Sequence, residues 1–184
     1  MKGGKFEITI PPRSFRLIAF PPKSLYPVTD DCSKLWGNWN SEGAKVEFKL
    51  DREIGNQKPG SLLLQVAADT PDGSAFCFVK KFPVKPGKTY KAKIFARSQD
   101  LPPTAKITMA FQGQDANGLS LGLPPQSAVL PKSCNEKWED LNLSLKIPEE
   151  GKWAEARNLL MTLSVQNVKG YKVWFDEFEL SETE

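Results

Sequence analysis

Strict two-residue alternation constrains this chain more than any other feature. In WEDLNLSLKI, Leu141, Leu143, Leu145 and Ile147 alternate with Asp140, Asn142, Ser144 and Lys146, and an extended strand is what sends successive side chains to opposite faces. One face of such a strand is buried and the other wet, as in an antiparallel sheet packed on one side. The same reading finds strands in KFEITI, SFRLIAF, AKVEFKL, SLLLQVAA, AFCFVKKF, KTYKAKIFARS, AKITMAFQ, RNLLMTLSVQ and KVWFDEFEL, separated by clusters of Pro, Gly, Asn and Asp. The stretch EEGKWAEARNLL runs straight into a strand pattern, which leaves room for at most one short helical turn. Many short strands together with 15 prolines and 13 glycines predict an all-β protein, an antiparallel β-sandwich.

The organisation has a seam near Pro21. Residues 1–29 read as N-terminal strands around a Pro-Pro turn followed by an extended linker, PPKSLYPVTDD, and residues 30–184 as the main sandwich. The N-terminal strands are either the end of a preceding domain or a hairpin of the same sandwich. No apolar run approaches the roughly 20 residues that span a bilayer, and the start, MKGGKFEITI, lacks the apolar core of a signal peptide.

Composition removes several chemistries. The chain has no histidine, hence neither the commonest general base nor the commonest transition-metal ligand. Its three cysteines, Cys32, Cys77 and Cys134, have no CxxC spacing, which argues against a zinc site. Cys77 reads as a small core residue, whereas Cys32 and Cys134 sit in polar, turn-rich segments where they either pair in an oxidising compartment or stay free. A net charge of +3 without any basic cluster gives no sign of a nucleic-acid partner. No motif for a nucleophile, a phosphate loop or a metal hydrolase is present, and the linear carboxylate pairs fall in turns or at a strand end. The expectation is a protein that is not an enzyme.

The segment YKVWFDEFEL, residues 171–180, poses a sharper question. Unbroken alternation places Asp176 in one row with Trp174, Phe178 and Leu180, and an ionised carboxylate on an apolar face requires hydrogen bonds, a counter-charge or a metal. The same parity puts Lys91, Lys93, Phe95 and Arg97 on one surface of their strand, and Lys106, Thr108, Ala110 and Gln112 on one surface of the next. Planar amides, guanidinium and aromatic rings together suit a glycan.

From Trp36 onward, GNWNSEGAKVEFKL, KPGSLLLQVAA, FPVKPGKTYKAKIFARS, AKITMAFQGQDANG, KWEDLNLSLKIP and GYKVWFDEFEL occur in an order that resembles carbohydrate-binding modules with a galactose-binding-like jelly roll, the group that includes families four, nine, sixteen and twenty-two. The sharpest parts are Pro86-Gly87-Lys88-Thr89-Tyr90 and the closing strand. The resemblance implies a non-catalytic module that binds a polysaccharide of the xylan or β-glucan type and targets an attached glycoside hydrolase, the catalytic domain of a secreted or cell-surface parent enzyme. It further implies an aromatic platform at Phe76 or Phe78, with Arg97, Gln112 and Gln114 lining the groove. For Asp176 it implies a structural calcium ion, shared with Asp31 and with carbonyls around Lys58 to Ser61; the family's usual Phe-Glu signature ahead of the first strand is missing. The alternatives are rings packed in the core and an Asp176 that caps backbone N–H groups at a bulge. At the level of function they are a jelly-roll polysaccharide-degrading enzyme, or a protein-binding or adhesion domain on the same fold.

Overall fold

The computed structural model describes residues 26–184, apart from 104, 131–133, 167 and 168. The expected strands KFEITI and SFRLIAF lie outside the described residues.

Among the described residues, eleven strands form two antiparallel sheets packed face to face. The first has the order β3 (Val46–Asp51), β4 (Ser61–Val66), β11 (Tyr171–Thr183), β6 (Thr89–Gln99) and β9 (Glu139–Lys146), and β1 (Val28–Asp30) pairs with the far half of β11. The second has the order β2 (Gly37–Asn40), β5 (Phe76–Pro83), β10 (Asn158–Gln166), β7 (Lys106–Gln114) and β8 (Gln126–Val129). A 3-10 turn, Lys152–Glu155, precedes β10. The all-β sandwich expected from the alternation is thus the fold. The end of the expected linker, however, is β1, whose residues Val28–Asp30 face Leu180–Phe178 across the ladder.

Alternation decides which faces meet. Leu62, Leu64 and Val66 of β4, Tyr90, Ala92, Ile94 and Ala96 of β6, and Leu141, Leu143 and Leu145 of β9 point between the sheets. Phe76, Phe78 and Phe82 of β5, Met109 and Phe111 of β7, and Leu159, Met161 and Leu163 of β10 meet them from the other side. Burying rows of this size is the main force that joins the two sheets.

One irregularity answers the question raised by YKVWFDEFEL. The β11–β6 register shifts between Asp176, opposite Phe95, and Glu179, opposite Lys93, so β11 carries one extra residue. Glu177 takes the left-handed conformation at that point, with φ of 51°. A bulge of this kind reverses the parity of everything that follows. Tyr171, Val173 and Phe175 face the core before it, and Phe178 and Leu180 face the core after it. Trp174 and Asp176 therefore lie on the outer face, in the opposite row from Phe178 and Leu180, contrary to the unbroken alternation.

Candidate functional site

Two surfaces of the sandwich carry polar chemistry. The first is the outer face of the second sheet. Its cross-strand neighbours form rows: Trp39, Cys77, Ser164 and Thr108 in one, then Gly37, Val79, Thr162 and Ala110, then Lys81, Leu160 and Gln112. Cys77, Val79, Thr162 and Ser164 of the first two rows, with Leu160 and Gln112 of the third, form the floor of a groove of about 1060 Å³. Its wall is the β4–β5 loop, Thr70 to Ala75, together with Lys169.

The wall is fixed by its own hydrogen bonds. Thr70 is buried and donates its hydroxyl to the Lys45 carbonyl at 2.8 Å. Ser74 donates to the Pro71 carbonyl at 2.7 Å, and the Ala75 N–H donates to the Ser41 hydroxyl at 3.0 Å. A ligand would meet a groove already shaped. Trp39 stands at its edge on β2, and 55% of its surface is exposed. From the sequence Trp39 reads as a structural ring, with a loop Trp stacking at the sandwich edge as the alternative, because Gly and Asn are poor strand formers. Its one signal is a lone aromatic between polar neighbours.

The expected ligand residues do not converge. Phe78 is fully buried, with its ring edge-on to Phe48 at 5.1 Å and to Phe175 at 6.3 Å. Phe76, Phe78 and Phe82 share one row of β5 that faces the core, because burying three aromatic rings outweighs burying Cys77 and Val79. Phe76 is also buried, with a small part of its surface in the groove lining. Gln112 lines the groove; Gln114 follows it on the same face, at the end of β7. Arg97 belongs to the other sheet, pairs with Glu136 and lies over the Trp174 ring at 5.7 Å. Lys80 points inward, pairs with Asp30 and sits 4.8 Å from the centre of the Trp36 ring. The basic residues Lys80, Lys91, Lys93 and Arg97 thus form no common binding face.

Trp153 packs on the core, close enough that a Cβ on Gly113 would stand 2.8 Å from its ring. Trp36 is buried and meets Phe178 edge-on at 5.3 Å. All three cysteines are free thiols; burial pushes Cys32, Cys77 and Cys134 above the usual thiol range.

The second surface surrounds the bulge. A hollow of about 740 Å³ there is lined by Asp30, Asp31, Lys93, Phe95, Glu177 and Glu179, among others. The β3–β4 loop folds over Asp176, whose carboxylate accepts the Asn56 N–H at 2.7 Å and the Glu177 N–H at 2.7 Å. The Asn56 side chain donates to Glu177 at 2.8 Å. Burial holds the Asp176 carboxyl above its usual range; the two N–H groups pull it down, and the negative charges of Glu177 and Asp31 push it up again.

The calcium donors implied by the resemblance fit an ion only in part. Asp31 and Asp176 act on each other, and each Asp176 oxygen keeps a lone pair after accepting one N–H. Against that, the Lys58 ammonium already meets Asp31 at 2.7 Å, and the Lys58 carbonyl is turned towards Gly55. The Ser61 hydroxyl is used on the Ile54 carbonyl. Among the described residues no group of three acidic, His or Cys side chains converges as a metal cage.

The architecture is the β-sandwich of carbohydrate-binding modules. The family 30 carbohydrate-binding module of the Clostridium thermocellum cellulosomal cellulase Cel9D-Cel44B superposes with a TM-score of 0.62 at 11% identity, covering 85% of this chain and 98% of that one. The CBM22-1 xylan-binding domain of Paenibacillus barcinonensis Xyn10C superposes with a TM-score of 0.58 at 13% identity, covering 85% and 94%. The enzymatically active domain of bacteriophage CBA120 tailspike protein 4 matches at 0.56 and 14% identity, and there the chain spans 80% of its own length but only 19% of the tailspike chain. No protein-family model and no curated protein matches the sequence. At these identities the likeness establishes the fold.

Proposed function

We propose that the chain is a non-catalytic carbohydrate-binding module that binds a polysaccharide of the xylan or β-glucan type in the groove on the second sheet and brings an attached glycoside hydrolase to it, in a secreted or cell-surface parent protein. The observation that carries this reading is the preformed groove with Trp39 exposed at its edge. A flat ring offers the surface on which the C–H face of a pyranose packs, and Gln112, Thr162 and Ser164 supply amide and hydroxyl partners along the floor. The platform lies at Trp39, in place of the buried Phe76 and Phe78.

Hydrolysis is the weaker reading. A glycosidase sets two carboxyl groups across the scissile bond, whereas Asp72 is the single acid among the described residues of the groove and is engaged by Lys169 at 2.9 Å. The test is affinity electrophoresis of the whole chain in gels carrying xylan or mixed-linkage β-glucan, with reducing-end release followed in parallel. Retardation without release of reducing ends supports the module. Unchanged mobility in every gel refutes it.

The same reading includes a structural calcium ion at Asp176, with Asp31 and carbonyls from the segment around Lys58 to Ser61 as its donors. Its support is a buried carboxylate under the influence of two further acids. A ligand that binds the native state alone stabilises it by mass action. Chelation should lower the melting temperature of the wild type and leave Asp176→Ala unaffected; a wild-type curve indifferent to chelator removes calcium from the proposal.

A further inference from the structure

The charges around the groove carry a conclusion about the glycan, resting on the reading of the chain as a carbohydrate-binding module. The floor spans four strands, β2, β5, β10 and β7, roughly 14 Å at the usual strand spacing, and its side chains are uncharged. The charged lining groups, Asp72 and Lys169, stand on the wall and neutralise each other at 2.9 Å.

The other lysines of this face stand beyond the groove. Lys106 lies on β7 one alternation past Thr108, outside the lining. Lys81 has its ammonium against the turn at Gly118, where a Cβ would stand 2.8 Å from it. On the opposite sheet Lys93 lies over the Phe95 ring at 4.7 Å and Arg97 pairs with Glu136, and Lys80, which points inward, pairs with Asp30. A carboxylate or sulfate pressed onto the floor would lose water without gaining a cation, which is costly. Hydroxyl groups, by contrast, meet hydroxyl and amide partners at Thr162, Ser164 and Gln112.

We infer that the groove selects a glycan that is uncharged along the segment it buries, held by stacking on Trp39 and by neutral hydrogen bonds, and that the basic residues of the protein take no part in its capture.

Calorimetric titration of the whole chain with neutral xylo-oligosaccharides and mixed-linkage gluco-oligosaccharides, and with uronate-bearing and oligogalacturonate ligands, tests this at low and high salt. Binding of a neutral ligand should change less than about twofold with salt, because it releases no screened ion pair. Trp39→Ala should weaken it by about tenfold or more, while Lys81→Gln combined with Lys106→Gln should leave it unchanged. Tighter binding of a uronate ligand that fades with salt, or that the double lysine variant abolishes, overturns the inference while leaving the module reading intact. Neutral binding indifferent to Trp39→Ala overturns the stacking role. Absence of binding to every ligand removes the reading on which the inference rests.

Discussion

Replacing Phe78 with alanine tests the face assignment of β5, on which the location of the groove depends. The ring is fully buried and lies edge-on between Phe48 and Phe175, which come from the opposite sheet. Truncating a buried Phe to Ala costs about 3–5 kcal/mol, because transfer free energy is lost and a cavity remains. For a protein of this size each kcal/mol lowers the melting temperature by roughly 2–4 °C, so Phe78→Ala should melt about 6–20 °C below the wild type. Trp39→Ala removes a larger ring, but one that is more than half exposed on an edge strand; surface changes of this kind usually stay within about 0.5 kcal/mol. The assay is scanning calorimetry of both variants, with urea titrations to confirm that each unfolds in one transition. A Phe78→Ala variant that melts within about 2 °C of the wild type, a shift of at most about 1 kcal/mol, would refute the inward placement of Phe76, Phe78 and Phe82. The groove floor of Cys77 and Val79 would fail with it.

Two predictions concern the loop over the bulge. A Cβ on Gly55 would stand 1.9 Å from the Lys58 carbonyl oxygen, a backbone atom that cannot swing aside, so Gly55→Ala should destabilise by about 1–3 kcal/mol through forced rearrangement of the loop, read as a lower urea midpoint; a neutral result means that the loop carries no such constraint. Asp176→Asn offers one oxygen where two N–H groups now find acceptors, which costs about 1–3 kcal/mol for the N–H left without a partner. The pH dependence has a definite sign. The folded-state pKa of Asp176 is raised, chiefly by burial, so its contribution to stability is fully present below the ordinary carboxylate pKa and is lost as pH rises through the raised value. The stability advantage of the wild type over Asp176→Asn should therefore shrink as pH increases through that window, and urea midpoints that keep a constant separation would contradict the assignment.

How far the fold can be read from the sequence follows from how much buried surface each element brings. Every strand with a substantial apolar row, from AKVEFKL to KVWFDEFEL, is legible, because alternation sustained over six or more residues seldom arises outside a half-buried strand. β1, β2 and β8 are not. They hold three or four residues each, and β2 and β8 lie at the edges of the second sheet, where pairing on one side suffices and polar residues are tolerated. The edge strand β2, invisible to alternation, is also the element that carries Trp39, whereas the family resemblance points to β5 for the platform. An aromatic row inside a sandwich and an aromatic row on a binding face have the same period. Only the total apolar area on each side separates them, and for β5 that means weighing Phe76, Phe78 and Phe82 against Cys77, Val79 and Lys81.

The bulge in β11 shows a different limit. A single inserted residue moves Phe178 and Leu180 from one face to the other, and nothing in the local composition of FDEF marks where the insertion falls. Its cause lies elsewhere in the chain. Asp176 is held on the outer face by the Asn56 N–H, 120 residues away, and Glu177 by the Asn56 side chain. Past the bulge, Glu179 is paired with Thr29 of β1 and Lys93 of β6. The extra residue lets one strand serve β4 along its first half and β1 along its second while keeping apolar side chains inward in both. A carboxylate that looks misplaced on a core row is thus the hydrogen-bonded pivot at which that strand changes partners.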